Sequence, residues 1–327
     1  MKTLLKCLLF SLAAWSSYAA VKHSDPDFSD EKKVTIIQIV EHPALDATRQ
    51  GILDTLKSHA VSVSFQSAQG SSSLATQIAQ HFAGTKPDAM VGIGTTAAQA
   101  LVAANHSSVP VIFSSVSDPL GAKLVQNISK PEGMVTGVSN FIDPALQFSF
   151  FKKCLPNLKQ LGIIYNPGEA NSVALVERMK TAAKDADLEL VLAPANHSAE
   201  VVAATQQLVS KVQAIFINSD NTALSAFDSI VKISRKHNIP VLSSDADMVS
   251  QGALAAVGAN QYDIGRQTGL ILLQVLAGTS PKQIPVVFPD KTEVLINLNN
   301  AAQLNLQIPQ ALIDELPATA FYHPPKR

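Results

Sequence analysis

The acids, amides and hydroxyls of this 327-residue chain gather where short apolar runs end. Asp220 and Asp245 each stand just past such a run. A carboxylate there can hold an ammonium group in a partly dry cleft, where the attraction is stronger than in water. Asp220 is also placed to cap the helix that follows it. Gly94-Thr95-Thr96-Ala97 opens a helical stretch directly after a run. Its free backbone N–H groups and the helix dipole suit an anion such as a carboxylate. His42, Ser115, Asp118, Asn171, Ser172 and Asn221 lie at or just beyond comparable strand ends, and Gln38 lies within the first strand near its end. Any one of them alone reads as a cap, but the full set reads as a ligand-binding surface.

Signs of catalysis are absent from the pattern. No serine lies in a G-x-S-x-G elbow and no histidine pair has metal-ligand spacing, so neither catalytic residues nor a metal site is expected. Gly92, Gly94 and Ala97 fit G-x-G-x-x-A, but that dinucleotide signature belongs on the first strand of its unit and here falls on the third. No cofactor is expected. Cys154 sits among Phe148, Phe151 and Leu155 as a small core residue would. His42 reads as a turn histidine held by Pro43.

The elements that must position these residues alternate regularly. Strands are expected at 34–40, 61–66, 88–93 and 109–113, with helices at 44–58, 72–83 and 96–104. The order then repeats: strands at 160–165, 188–193, 213–218 and 240–243, with helices at 170–185, 199–209 and 222–237. Asp88–Ile93 resembles Gln213–Asn218, and Pro110–Ser115 resembles Pro240–Asp245, at offsets of 125 and 130 residues. Such alternation implies α/β architecture: two similar, doubly wound parallel-sheet lobes joined by several crossings that form a hinge. The expected partition is 33–139 plus 261–283 for lobe I and 140–260 plus 284–327 for lobe II, with a last helix at 261–277.

Residues 1–19 have the anatomy of a cleavable secretory signal. Lys2 and Lys6 precede an apolar run from Leu8 to Trp15, and small residues stand at Ser17 and Ala19. Removing them moves the formal charge from −1 to −3 and takes away Cys7 and the single tryptophan, Trp15. A mildly acidic chain has no general attraction to nucleic acid.

Several segments resemble the ABC-transporter substrate-binding family that includes tryptophan- and tyrosine-binding proteins. They are Gln38–Asp46, Gly94–Gln99, Pro110–Phe113 with Asp118-Pro119, and Val135–Val138. Asn171-Ser172, Asp220–Thr222, Gly252–Leu254 and Gly265–Gly269 continue the series, so the resemblance spans about residues 34–308. It implies a type I periplasmic-binding fold, a permease and its ATPase as partners, and often an aromatic amino acid as ligand. It also implies that Gly94-Thr95-Thr96, Asn171-Ser172, Asp220-Asn221 and Asp245 lie at the ligand. The reading is therefore a periplasmic, monomeric binding protein and not an enzyme. In it Thr95 and Thr96 take a ligand carboxylate, Asp220 or Asp245 takes the ammonium, and Gln38, Ser115, Asp118 and Asn171 line the cleft. A sugar- or nucleoside-binding protein of the same fold is the alternative, with Tyr165 and Phe141 as the nearest rings for stacking.

Overall fold

The structure, a computed structural model, describes residues 28–106 and 109–323, so the expected signal lies outside the described residues. The chain first builds five parallel strands, β1 (Lys32–Gln38), β2 (Val61–Ser67), β3 (Ala89–Ile93), β4 (Val111–Ser114) and β5 (Val135–Val138). Their order in the sheet is β2-β1-β3-β4-β5. Helices α1 (Pro43–Leu56), α2 (Ser72–Gly84) and α3 (Thr95–Ala104) connect the first four. Every residue of β3 and β4 is buried, as a strand covered on both faces requires.

The chain then crosses to a second sheet. Its elements are α4 (Pro144–Cys154), β6 (Gln160–Tyr165), α5 (Ala170–Asp185), β7 (Glu189–Pro194), α6 (Ser198–Leu208), β8 (Ala214–Ile217), α7 (Asn221–Ser225), α8 (Phe227–Lys236), β9 (Val241–Ser243), α9 (Asp247–Ser250) and β10 (Ala255–Gly258). It returns as α10 (Gln261–Leu276) and crosses once more to β11 (Glu293–Ile296), α11 (Leu298–Gln303) and α12 (Gln310–Glu315). The second sheet runs β11-β10-β9-β8-β6-β7, parallel except for β11. Alternate residues serve opposite cores: Ile163 and Phe216 face one, Ile164, Ile215 and Ile217 the other. The molecule is thus two α/β lobes, each with helices on both faces of its sheet.

Two local features differ from the sequence pattern. The helix expected at 222–237 is two helices, broken at Ala226 (φ −110°, ψ 18°), whose N–H turns back to the Ala223 carbonyl at 3.1 Å. Residues 284–287, grouped by sequence with lobe II, continue along lobe I. Val287 bridges Val138, and Ile284 joins the lobe I core. The hydrogen bond from the Thr136 hydroxyl to the Ile284 carbonyl, 2.8 Å, helps hold that strand end in place.

Packing of α10 on α1 fixes much of the lobe I wall. Gly51 and Gly265 sit where the helices touch. A Cβ on Gly265 would lie 2.0 Å from the Thr48 carbonyl oxygen, so any larger residue forces the helices apart. That close approach brings Thr48 and Gln261 within hydrogen-bond distance of each other, 3.1 Å.

The lobe II core is aromatic at its centre. Phe216 meets Phe148 and Phe151 at centroid distances of 6.1 and 5.1 Å, edge on. Cys154 is wholly buried beside them, and burial pushes its thiol up to about 12, so it is inert as a nucleophile.

Candidate functional site

In both sheets the strand order reverses beside the first strand: β1 lies between β2 and β3, and β6 between β7 and β8. A crevice opens beyond the carboxyl ends at such a switch point. The chain just beyond β1, β3, β6 and β8 carries His42, Thr95, Asn171 and Asn221, and all four line one narrow cavity between the lobes.

Lobe I presents donors. His42 caps α1, and its Nδ1 accepts from the Leu45 N–H at 3.5 Å. A neutral ring accepting at Nδ1 carries its proton on Nε2, and this buried Nε2 has the Asn221 side chain near it but makes no well-formed hydrogen bond. Burial pushes the imidazole down to about 4, against the smaller opposing pull of Asn221 and Asp46, so the ring stays neutral. Thr95 begins α3, and its buried Oγ1 is likewise without a partner. Gly94 supplies no capping side chain and holds φ at 89°; a Cβ would meet Ile39 Cγ2 at 2.6 Å. The first-turn amides of α3 are therefore left for an external acceptor.

Lobe II presents acceptors. Asp245, 1% exposed, lines the cavity, and burial raises its carboxyl above the usual range. Its Oδ1 accepts from Gln261 Nε2 at 2.7 Å and its Oδ2 from the Ser244 hydroxyl at 3.0 Å. Asn171 donates through Nδ2 to the Ser219 carbonyl at 2.9 Å and to Glu169 at 3.2 Å, leaving its buried Oδ1 unpaired. Glu169 organises this wall. Its carboxylate also accepts from the N–H and side chain of both Asn221 and Thr222, at 2.7–3.2 Å, and so caps α7 from the start of α5.

A chain of hydrogen bonds runs around the cavity and joins the lobes. Ser115 donates to Gln261 Oε1 at 2.9 Å, and Gln261 reaches across to Asp245. Ser244 meets Ser219 at 3.3 Å, Asn140 donates to Ser219 at 3.4 Å, and Ser117 donates to Asn140 at 2.9 Å. Beyond Ser117, Asn140 and Ser219 lies a second, narrow chamber, with Phe141, Ile142, Leu175 and Met179 among its walls. At the rim, Arg178 of lobe II meets Asp118 of lobe I at 3.4 Å and covers the Phe141 ring at 4.8 Å. The cleft is shut.

The profile described as "ABC transporter substrate binding protein" matches residues 33–319. The chain belongs to this family. Proteins of this class bind small-molecule ligands and work with an ABC permease. The chain is 32% identical to a tyrosine-binding protein of Clostridioides difficile over 89% of its own length and 86% of that protein. Among solved structures, an ABC domain from Streptococcus pneumonia in complex with L-Trp is 33% identical, with a TM-score of 0.84 over 88% of this chain and 98% of that one. The ligand-free, open structure of CD0873, a Clostridium difficile substrate-binding protein with adhesive properties, is also 33% identical; its TM-score is 0.64 over 85% of this chain and 96% of that one. At equal identity the binding protein overlays the L-Trp complex more closely than the open form, in keeping with the contacts that bridge its lobes.

The structure brings His42, Thr95, Ser115, Asn171, Asn221 and Asp245 to the shared cavity. Gly94 and Thr96 shape the start of α3 beside it, and Asp118 stands at the rim. Gln38, Ser172 and Asp220 turn inward instead. Gln38 is engaged with Val40, Asp46 and Arg49. Asp220 accepts from Ser172 at 2.5 Å, Asn166 N at 2.6 Å and Ala223 N at 2.7 Å. With both its oxygens occupied inside lobe II, Asp220 acts as a cap and brace. Burial first, and Glu169 second, push its carboxyl up to about 7.

Sequence reasoning passes over Glu169, Gln261, Ser117, Asn140 and Asn218, and marks Ser219 only as one of the polar residues at its strand tip. Ser219 and Asn218 sit on a strand tip already marked by Asp220, and that position was their signal. Gln261 starts the helix that re-enters lobe I, so nothing local marks it as a cleft residue.

Proposed function

We propose that this chain is the periplasmic receptor of an ABC importer, a monomer that closes on one free amino acid with an aromatic or large apolar side chain and delivers it to the permease. The observation that carries the reading is the pairing of opposite walls. Unpartnered donors face the cavity from lobe I, at His42 Nε2, Thr95 Oγ1 and the α3 amides; the Asp245 carboxylate and the unpartnered Asn171 Oδ1 face it from lobe II. A zwitterion satisfies both at once, its carboxylate on lobe I and its ammonium on lobe II. A buried polar atom without a partner costs about 1–3 kcal/mol, so ligand and closure stabilise each other.

The second chamber suits the side chain, because Phe141, Ile142, Leu175 and Met179 supply apolar walls. The tyrosine- and tryptophan-binding relatives support an aromatic ligand. A stacked sugar fits less well, since one face of Phe141 is already covered by Arg178.

Fluorescence gives a direct test. Trp15 is the single tryptophan, so a chain beginning after residue 19 has none, and added L-tryptophan reports its own binding. Saturable binding with competition by tyrosine or phenylalanine is expected. If no amino acid competes or raises the melting temperature, the amino acid reading fails.

A further inference from the structure

Asn218 directly follows β8, lines the second chamber and is 3% exposed. Neither its Oδ1 nor its Nδ2 has a hydrogen-bond partner, although both are buried. The other amides of the chamber are engaged. Asn140 accepts from Ser117 and donates to Ser219, and Gln147 donates to the Val257 carbonyl at 2.8 Å. A wholly orphaned carboxamide in a closed chamber is rare in native proteins, because such groups find a partner or are replaced. The partner comes from what occupies the chamber, a water in the empty protein and a ligand group in its place once the ligand is bound.

We propose that Asn218 reads a hydrogen-bonding group on the ligand's side chain, so that the chamber selects an aromatic ring bearing a hydroxyl or N–H over a bare ring. This rests on the amino acid reading above and specifies its side-chain class. A phenol can donate to Oδ1 or accept from Nδ2, and an indole N–H can donate to Oδ1. Phenylalanine fills the same space but leaves both amide atoms unpaired. Sites built to hydrogen-bond a substrate group discriminate strongly against the analogue that lacks it. With one such bond in a chamber of this kind, a preference on the order of 10- to 100-fold is expected.

The test is calorimetric titration of the signal-free chain and of Asn218→Leu with L-tyrosine, L-tryptophan and L-phenylalanine. In the unaltered protein, tyrosine or tryptophan should bind at least about 10-fold tighter than phenylalanine. In Asn218→Leu that preference should shrink to about 3-fold or less, chiefly through weaker binding of the polar ring, with phenylalanine retained. L-4-methylphenylalanine, which fills the phenol's volume without its hydroxyl, makes the same comparison in the unaltered protein should the variant not fold; it should bind like phenylalanine. Equal affinity for all the rings, or a preference that survives Asn218→Leu, overturns the role of Asn218 and leaves the amino acid reading intact. Failure of every amino acid to bind overturns both.

Discussion

The two walls of the cleft come from similar α/β lobes yet differ in electrostatic character. Lobe I offers a helix N-terminus and a neutral imidazole, both donors and neither carrying a full charge. Lobe II offers the buried Asp245 carboxylate, held by Ser244 and Gln261, and the Asn171 carbonyl oxygen, set by the bonds from its amide nitrogen to Glu169 and Ser219. The same topology therefore builds opposite walls, because strand-tip position is set by the fold while hydrogen-bonding sense is set by the residue placed there.

The comparison is most exposed to failure at its charged end. Asp245→Asn removes the lobe II carboxylate that lines the cavity and is expected to weaken amino acid binding by about 2–3 kcal/mol, on the order of 100-fold, in calorimetry. Asp220→Asn is the matched control from the same lobe. It disturbs three buried hydrogen bonds, so a loss of about 1–3 kcal/mol in denaturant stability is expected with ligand preference unchanged. Were Asp220→Asn to abolish binding in a folded protein while Asp245→Asn did not, the assignment of the two acids would be reversed.

The lobe I side should give smaller effects, since its donors are neutral. Thr95→Val and His42→Leu are each expected to cost about 1–1.5 kcal/mol of affinity, roughly 10-fold, because the α3 amides remain. At the rim, Arg178→Ala opens the pair with Asp118. Arg178 is 49% exposed, so the change should be about 0.2–1 kcal/mol, seen mainly as faster ligand release.

The walls also differ in their response to pH. Asp220 and Asp247 have carboxyls pushed up to about 7 and about 6, burial being the first cause in each. The folded state holds those protons more tightly than the unfolded chain. Their stabilising contribution is complete below the unfolded value near 4 and is lost as pH rises through 6 and 7. His42, lowered to about 4, acts the other way: its contribution is complete above about 6.5 and falls as pH drops toward 4. Asp245, also raised by burial, acts in the same sense as the other two acids. With three acids against one histidine, the ligand-free protein is expected to be more resistant to urea at pH 5 than at pH 7.5, and Asp247→Asn should reduce that difference.

Much of the architecture is legible in the sequence, because buried parallel strands are written as unbroken apolar runs and helices as 3.6-residue periodicity. That is why β3, β4, β8 and β9 and the repeat between lobes stand out. The tips are also legible as a set. What a tip residue does is less so, and Asp220 and Asp245 show why. Both are acids just past strand ends, but Asn166, Ser172 and Ala223 surround one with donors from its own lobe, while the other faces Gln261 from across the cleft. Those partners lie up to 54 residues away along the chain, beyond any local pattern. Asn218 hides for the opposite reason: its significance is the lack of a partner, which only packed coordinates reveal.

The central claim is that opposite walls hold opposite ends of one zwitterion. Titration of the signal-free chain with L-tyrosine, tyramine and 3-(4-hydroxyphenyl)propionate measures it directly, since the two analogues lack the carboxylate and the ammonium in turn. Both should bind at least about 100-fold more weakly than tyrosine, and Asp245→Asn should weaken tyramine but leave the deaminated acid nearly unaffected. Binding of the deaminated acid as tight as that of tyrosine would contradict the account.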